Sequence, residues 1–140
     1  MAIVLPFPPF SYLPAIIVGG GPGTWFLLAY VLYLAIGSSG FGGLAAFLFV
    51  AEEKEGRVLD ATTMWLGLIL LNAGVIASCI LLGLAGALGG YALTINSAGA
   101  NAVHDILNPY LYPITCTVLI AVTGAALTLL AMIRAKVSAG

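Results

Sequence analysis

Three long runs of apolar residues dominate the chain, and short polar segments separate them. Each run exceeds the ~20 apolar residues that a helix needs to cross a membrane. No Asp, Glu, Lys or Arg interrupts the middle of any run, as expected for helices that face lipid. The pattern predicts an all-α integral membrane protein with three long hydrophobic helices, at about residues 25–55, 61–92 and 109–136.

A fourth apolar stretch, residues 1–23, differs from these runs because Pro6, Pro8, Pro9 and Pro14 forbid a regular helix across it. We interpret it as a proline-rich arm in front of a single three-helix membrane domain, residues 24–140. Two placements remain open for the arm. One is an extended segment at the membrane interface or against neighbouring protein, and the other is a short broken or re-entrant helix around Pro14–Gly19.

Local signals mark the ends of the three spans. Thr24 and Asp60 are suitable N-caps for the first and second spans, and Gly56 is a typical helix breaker between them. Asn108 followed by Pro109 predicts the N-terminus of the third span, because proline is favoured at the first helical position. The pair Gly89-Gly90 is a candidate end of the second span.

The composition agrees with a membrane protein and excludes several other classes of protein. Of 140 residues, 62% are apolar and 6% are charged, which excludes a soluble globular fold, a disordered chain and a basic nucleic-acid-binding surface. Most of the charges form one loop between the first two spans, with the residues Glu52, Glu53, Lys54, Glu55, Arg57 and Asp60.

The basic residues predict an orientation in the cell membrane. Lys54 and Arg57 lie in the first loop, and Arg134 and Lys136 follow the third span. By the positive-inside rule these two segments face the cytoplasm, so the N-terminus lies outside and the C-terminus inside.

Candidate catalytic and metal-binding groups are sparse. His104 is the only histidine and is predicted to lie in a polar loop, while Cys79 and Cys116 belong to different spans and form no redox motif. We therefore predict no enzymatic activity, no metal and no cofactor, although structural lipid is compatible with the composition. Asn72 is the strongest polar group inside a span and is a candidate for a hydrogen bond between helices.

The most informative feature inside the spans is a pattern of small residues four apart, which places them on one helix face. Such stripes allow helix backbones to approach closely in lipid, where packing replaces the hydrophobic effect. We expect at least one stripe to meet another chain. The candidate packing residues are Ala35, Ser38, Ser39, Gly42, Gly43, Ala46, Gly74, Ser78, Gly86, Gly90, Ala121 and Ala125.

These observations favour a non-catalytic structural membrane protein that packs against membrane lipid and copies of itself or other membrane subunits. One alternative is an accessory subunit of a larger respiratory or transport complex. Another is a small channel or carrier, which would require a more continuous polar path through a span.

The first two spans and their charged loop, residues 25–94, resemble the helical hairpin of pilins of the conjugation or type IV secretion kind. Those pilins are rich in Gly and Ala and carry a short charged loop between two membrane helices. The resemblance implies self-assembly into an extracellular filament, with the loop facing the lumen and lipid held between subunits.

Overall fold

A computed structural model of the chain describes residues 10–54 and 56–137. The fold is all-α, and three of its helices are long and apolar enough to cross a membrane. The predicted fold class is therefore confirmed. The three candidate spans are Gly23–Glu53, Ala61–Thr94 and Ala100–Arg134.

The described part of the N-terminal arm is helical rather than extended, as the second of the two interpretations predicted. A 3₁₀ turn, Phe10–Tyr12, leads into helix α1, Leu13–Val18, whose second residue is Pro14. Proline is tolerated there because the first turn of a helix has no internal partner for its N–H. Residues 1–9, which hold the other three prolines of the predicted arm, lie outside the described residues.

The first span is continuous but is not a regular α-helix. It consists of two α-helical and two π-helical segments: α2, Gly23–Leu32; a π segment, Tyr33–Gly40; α3, Phe41–Phe49; and a second π segment, Val50–Lys54. The first π segment contains the sequence Gly-Ser-Ser-Gly, residues 37–40. These residues have weak intrinsic preference for the α-helix, which lowers the cost of the wider i→i+5 turn.

The second span, α4, is Ala61–Thr94, and its start is as predicted. The Asp60 carboxylate accepts a hydrogen bond from the Thr62 backbone N–H at 3.3 Å and another from the Thr63 hydroxyl. Gly56 has a φ of +59°, the left-handed conformation that glycine adopts at low cost, after the first span has ended. The Gly89-Gly90 pair does not end α4, which continues for four further residues.

The third span, α5, is Ala100–Arg134, so the predicted start at Asn108-Pro109 is wrong. A turn of only five residues, 95–99, joins α4 to α5, and Ser97 adopts a positive φ of 52° within it. Pro109 and Pro113 lie inside the helix, where each removes one backbone hydrogen bond. Pro109 has no N–H to donate to the carbonyl of Asp105, four residues earlier, and Asp105 is an exposed residue.

The contacts divide the chain into two compact units. The first contains the described residues up to Leu32 together with Ser78–Thr115, and the second contains Tyr33–Ala77 together with the described residues from Cys116.

The first unit is organised by close contacts at glycines. Ile16 of α1 is fully buried and lies against both Gly23 and Gly90. A Cβ atom at Gly89 would lie 2.9 Å from both Leu107 Cδ2 and Pro22 Cβ. The start of α2, the end of α4 and the start of α5 therefore meet at positions where no side chain fits. The aromatic rings of Tyr12 and Tyr91 add a contact with centroids 5.5 Å apart.

The second unit contains a short antiparallel strand pair beside its helices. Strand β1, Arg57–Val58, pairs with strand β2, Lys136–Val137, and Arg57 faces Val137 in the register. This pairing brings the charged loop and the segment after α5 together, which the sequence analysis did not predict.

Replacement of Asp60 by Ala should lower the thermal stability of the protein in detergent at neutral pH, since α4 loses its N-cap. The Thr63 hydroxyl and the Thr62 and Thr63 backbone N–H groups lower the pKa of Asp60. A carboxyl group with a lowered native pKa stabilises the fold above its unfolded pKa of about 3.9, and this contribution is lost as the pH falls through the native pKa. Melting curves of wild type and Asp60→Ala should therefore converge in strong acid. A difference that persists unchanged from neutral to strongly acidic pH would contradict the capping role.

Candidate packing surface on the first span

The six small residues of the first span form one exposed surface, which we call the open stripe: Ala35, Ser38, Ser39, Gly42, Gly43 and Ala46. A Cβ atom placed on Gly42 or on Gly43 would meet no atom within 4 Å. Among the residues that the structure describes, therefore, none uses the close approach that these two glycines permit.

The open stripe lies opposite the inward face of α3. Leu44 and Leu48 are half-buried, whereas Gly42 and Ala46 are exposed. Residues two apart in an α-helix point about 200° apart, because each residue turns the helix by about 100°. Gly42 and Ala46 therefore lie on the side of α3 that the described residues leave uncovered.

The N-terminal part of the open stripe belongs to the first π segment, for which the residue spacing predicted a regular α-helix. Ala35, Ser38 and Ser39 are all within Tyr33–Gly40 and all exposed. A π-helical turn is wider than an α-helical one and often marks a functional position. The spacing of four therefore describes the stripe in α3 better than it does in this segment.

Most of the other predicted packing residues make close contacts with other elements of the same chain. A Cβ atom at Gly74 would lie 2.7 Å from the Cα atom of Ala121, and one at Gly86 would lie 2.9 Å from the carbonyl carbon of Trp25. Gly90 contacts Ile16 and Gly23 in the same manner. These three glycines serve intramolecular helix packing, which the sequence pattern alone could not distinguish from contacts between chains.

Two further predicted positions are less enclosed. Ser78 is half-buried on α4, and Ala125 is exposed on α5, one residue after a buried glycine.

Sequence reasoning missed part of the contact between α4 and α5 in the second unit. A Cβ atom at Gly67 would lie 2.8 Å from the Thr128 backbone nitrogen, and one at Gly124 would lie 2.8 Å from Leu71 Cα. Thr128 is buried and its hydroxyl donates to the Gly124 carbonyl at 2.9 Å. The available signal was the spacing of seven between Gly67 and Gly74, which also returns to one helix face.

Three further polar side chains inside the spans bond to their own helices. The Asn72 side chain donates to the Leu68 carbonyl at 2.9 Å within α4, rather than across to another helix. The Thr115 and Thr123 hydroxyls donate to the carbonyls four residues earlier in α5, both at 2.8 Å. These bonds satisfy groups that would otherwise be costly in lipid.

His104 lies in α5 and not in a loop, because this helix begins earlier than predicted. It is exposed, and the described residues contain no cluster of three His, Cys, Asp or Glu side chains that could hold a metal ion. Cys79 is half-buried, Cys116 is exposed, and both are free thiols.

Part of the predicted charged loop belongs to the end of the first span. Glu52, Glu53 and Lys54 lie in the second π segment, and both glutamates are exposed. Arg57 belongs to β1, Asp60 caps α4, and Glu55 lies outside the described residues.

Comparison with known proteins finds no matching family model, no matching curated protein and no matching solved structure.

A large side chain should affect stability differently at an enclosed glycine, such as Gly74, and at an open one, such as Gly42. Gly74→Leu must displace the Ala121 backbone, so we expect it to destabilise the fold by at least ~1–3 kcal/mol, as overpacking does. Gly42→Leu projects into open space and should leave the stability of the monomer close to that of wild type. Thermal unfolding in detergent, at a dilution at which all samples are monomeric, measures both. Equal losses for the two variants would show that the open stripe is covered within the chain.

Proposed function

We propose that this chain is a non-catalytic structural membrane protein whose first span packs through the open stripe against a neighbouring chain. The observation that carries the proposal is the empty space above Gly42 and Gly43. By contrast, a Cβ atom at most glycines of the other two spans would overlap with atoms of the same chain.

The unequal burial of the spans supports the first span as the docking element. In the most apolar window of the first span 6% of the residues are buried, compared with 17% for each of the other two. Helix association in lipid depends on close packing and hydrogen bonds between helices, because lipid tails are as apolar as the side chains they replace. Two backbones that meet at Gly42 and Gly43 gain contacts that bulkier residues would prevent.

Ser38 and Ser39 give the open stripe two hydroxyl groups that can donate hydrogen bonds across a helix interface. In membranes such bonds are worth about 0.6 kcal/mol on average and rarely reach ~2 kcal/mol, so they favour one partner without dominating the association. A second copy of the chain offers the same small residues and the same hydroxyls. The open stripe therefore supports self-association, including the pilin-like assembly into a filament.

The proposal predicts that detergent-extracted protein forms an assembly much larger than the 14.3 kDa chain. Gly42→Leu and Gly43→Leu should each shift the population towards monomer, because a leucine fills the space that the partner backbone would occupy. Gly42→Ala should keep most of the assembly, since alanine is still small. Native mass spectrometry measures the distribution, and negative-stain imaging shows its form.

Ala73→Leu is the matched control. Ala73 is exposed on α4, outside the open stripe, so a leucine there should leave the assembly unchanged. Long filaments would identify the pilin-like version of the proposal, and a defined particle with other chains would identify an accessory subunit. A wild-type protein that stays a folded monomer, or that transports solutes in liposomes, would contradict the structural role.

A further inference from the structure

The tripeptide Ala-Gly-Ala occurs twice in the chain, once inside a helix and once at a turn. The first copy, residues 85–87, belongs to α4, where both alanines are buried and a Cβ atom at Gly86 would lie 2.9 Å from the carbonyl carbon of Trp25. The second copy, residues 98–100, covers the end of the turn between α4 and α5 and the first residue of α5. The same three residues are therefore enclosed at one place and accessible at the other.

The second copy can be reached by another protein. Gly99 and Ala100 are exposed, Ala98 is half-buried, and a Cβ atom at Gly99 would meet no described atom within 4 Å. The Ala98 N–H donates to the Ala92 carbonyl at 2.9 Å, and the Val103 N–H donates to the Gly99 carbonyl at 3.2 Å. The first N–H groups of α5 have no acceptor within the helix. An enzyme can therefore draw these residues into an extended strand by opening the turn and the first turn of α5, without unpacking a span.

Small residues at alternate positions are a recognition signal for proteolysis. The membrane endopeptidases that remove secretory signal sequences cut after an A-x-A motif. In an extended strand successive side chains point to opposite faces, so Ala98 and Ala100 would enter two neighbouring pockets of the enzyme and Gly99 would face away. The motif therefore selects the peptide bond between Ala100 and Asn101.

The position of the turn suits an enzyme that works at the membrane surface. Helix α4 has 34 residues and is about 51 Å long at ~1.5 Å per residue, which exceeds the ~30 Å hydrocarbon core. Asn96, Ser97 and Asn101 are exposed polar residues, so this end of α4 lies outside the hydrocarbon. In the orientation predicted from the basic residues the turn faces the outside of the cell, the side on which signal sequences are removed.

We propose that the peptide bond between Ala100 and Asn101 is a processing site for an endopeptidase of the signal-peptidase class. Water is the second reactant. Its hydroxyl is added to the Ala100 carbonyl carbon and its remaining hydrogen to the Asn101 nitrogen as the bond breaks, which leaves a carboxylate on Ala100 and an ammonium on Asn101. The products have 100 and 40 residues. Helix α4 is longer than the 7–15 apolar residues of a secretory signal, so it stays in the membrane as a spanning helix.

Cleavage would leave the two fragments packed together. In the first unit Leu107 of α5 lies against Gly89 of α4, and in the second unit Ala121 of α5 lies against Gly74 of α4. These contacts are not covalent and do not involve the turn. A denaturing gel should therefore separate the fragments, whereas native mass spectrometry should find them as one complex.

The test is digestion of the purified full-length chain in detergent by purified bacterial signal peptidase. Both ends of every span are accessible in a micelle, so the result does not depend on the predicted orientation. Mass measurement and N-terminal sequencing should find a 40-residue fragment that begins at Asn101. A secretory precursor digested in the same micelles confirms that the enzyme is active.

Ala100→Leu is the decisive variant, and Gly99→Leu is its matched control. Leucine at position 100 is too large for a pocket that fits alanine and should slow cleavage at least ~10-fold, since a single methylene in a specificity pocket already changes rates by that factor. Leucine at position 99 projects into open space in the fold and away from the pockets in the strand, so cleavage should continue at the wild-type rate. Circular dichroism confirms that both variants remain folded.

An uncut wild-type chain, in micelles where the secretory precursor is cut, would overturn the proposal. A fragment that begins at Leu88, after the buried copy of the motif, or at Val103 would overturn it as well. Equal slowing by the two leucine variants would do the same, because it would show that cleavage follows the opening of the turn and not the side chains that enter the pockets.

Discussion

Close approach of helix backbones at glycine is the interaction on which the rest of this structure depends. Inside a membrane, apolar side chains gain little by leaving lipid for protein, so helices associate only where many atoms meet at short range. Gly86 against Trp25, Gly90 against Gly23 and Gly74 against Ala121 supply that contact. Even one added methyl group at these sites would press on backbone. The positions of the helices are consequently set by a few residues that have no side chain.

The helix ends show where sequence reasoning works for such a protein. Asp60 and Gly56 were identified correctly because capping and positive φ depend on local chemistry. The start of α5 was predicted wrongly because proline favours the first position of a helix, whereas Pro109 lies inside one. The π segment, residues 33–40, could not be predicted. Nothing in a pattern of apolar residues distinguishes i→i+5 from i→i+4 hydrogen bonding.

The candidate surface shows a similar limit. Small residues at a spacing of four were recognisable in all three spans, but their partners were not, because a stripe has the same sequence whether it meets its own chain or another. The structure separates the two cases: Gly86 and Gly90 are enclosed, whereas Gly42 and Gly43 are open. The sequence analysis did not identify Gly67, because it considered a spacing of four and Gly67 is seven residues from Gly74. It did not identify Thr128, because the hydroxyl of this residue bonds to its own helix.

The pairing of β1 with β2 has a kinetic consequence. It joins residues about 80 positions apart in the chain, so closing it carries a large loss of chain entropy unless other contacts have already brought the ends together. Contacts between α4 and α5, such as Gly74 with Ala121, span fewer residues and shorten the remaining loop when they form. The strand pair should therefore be among the last contacts to form during folding.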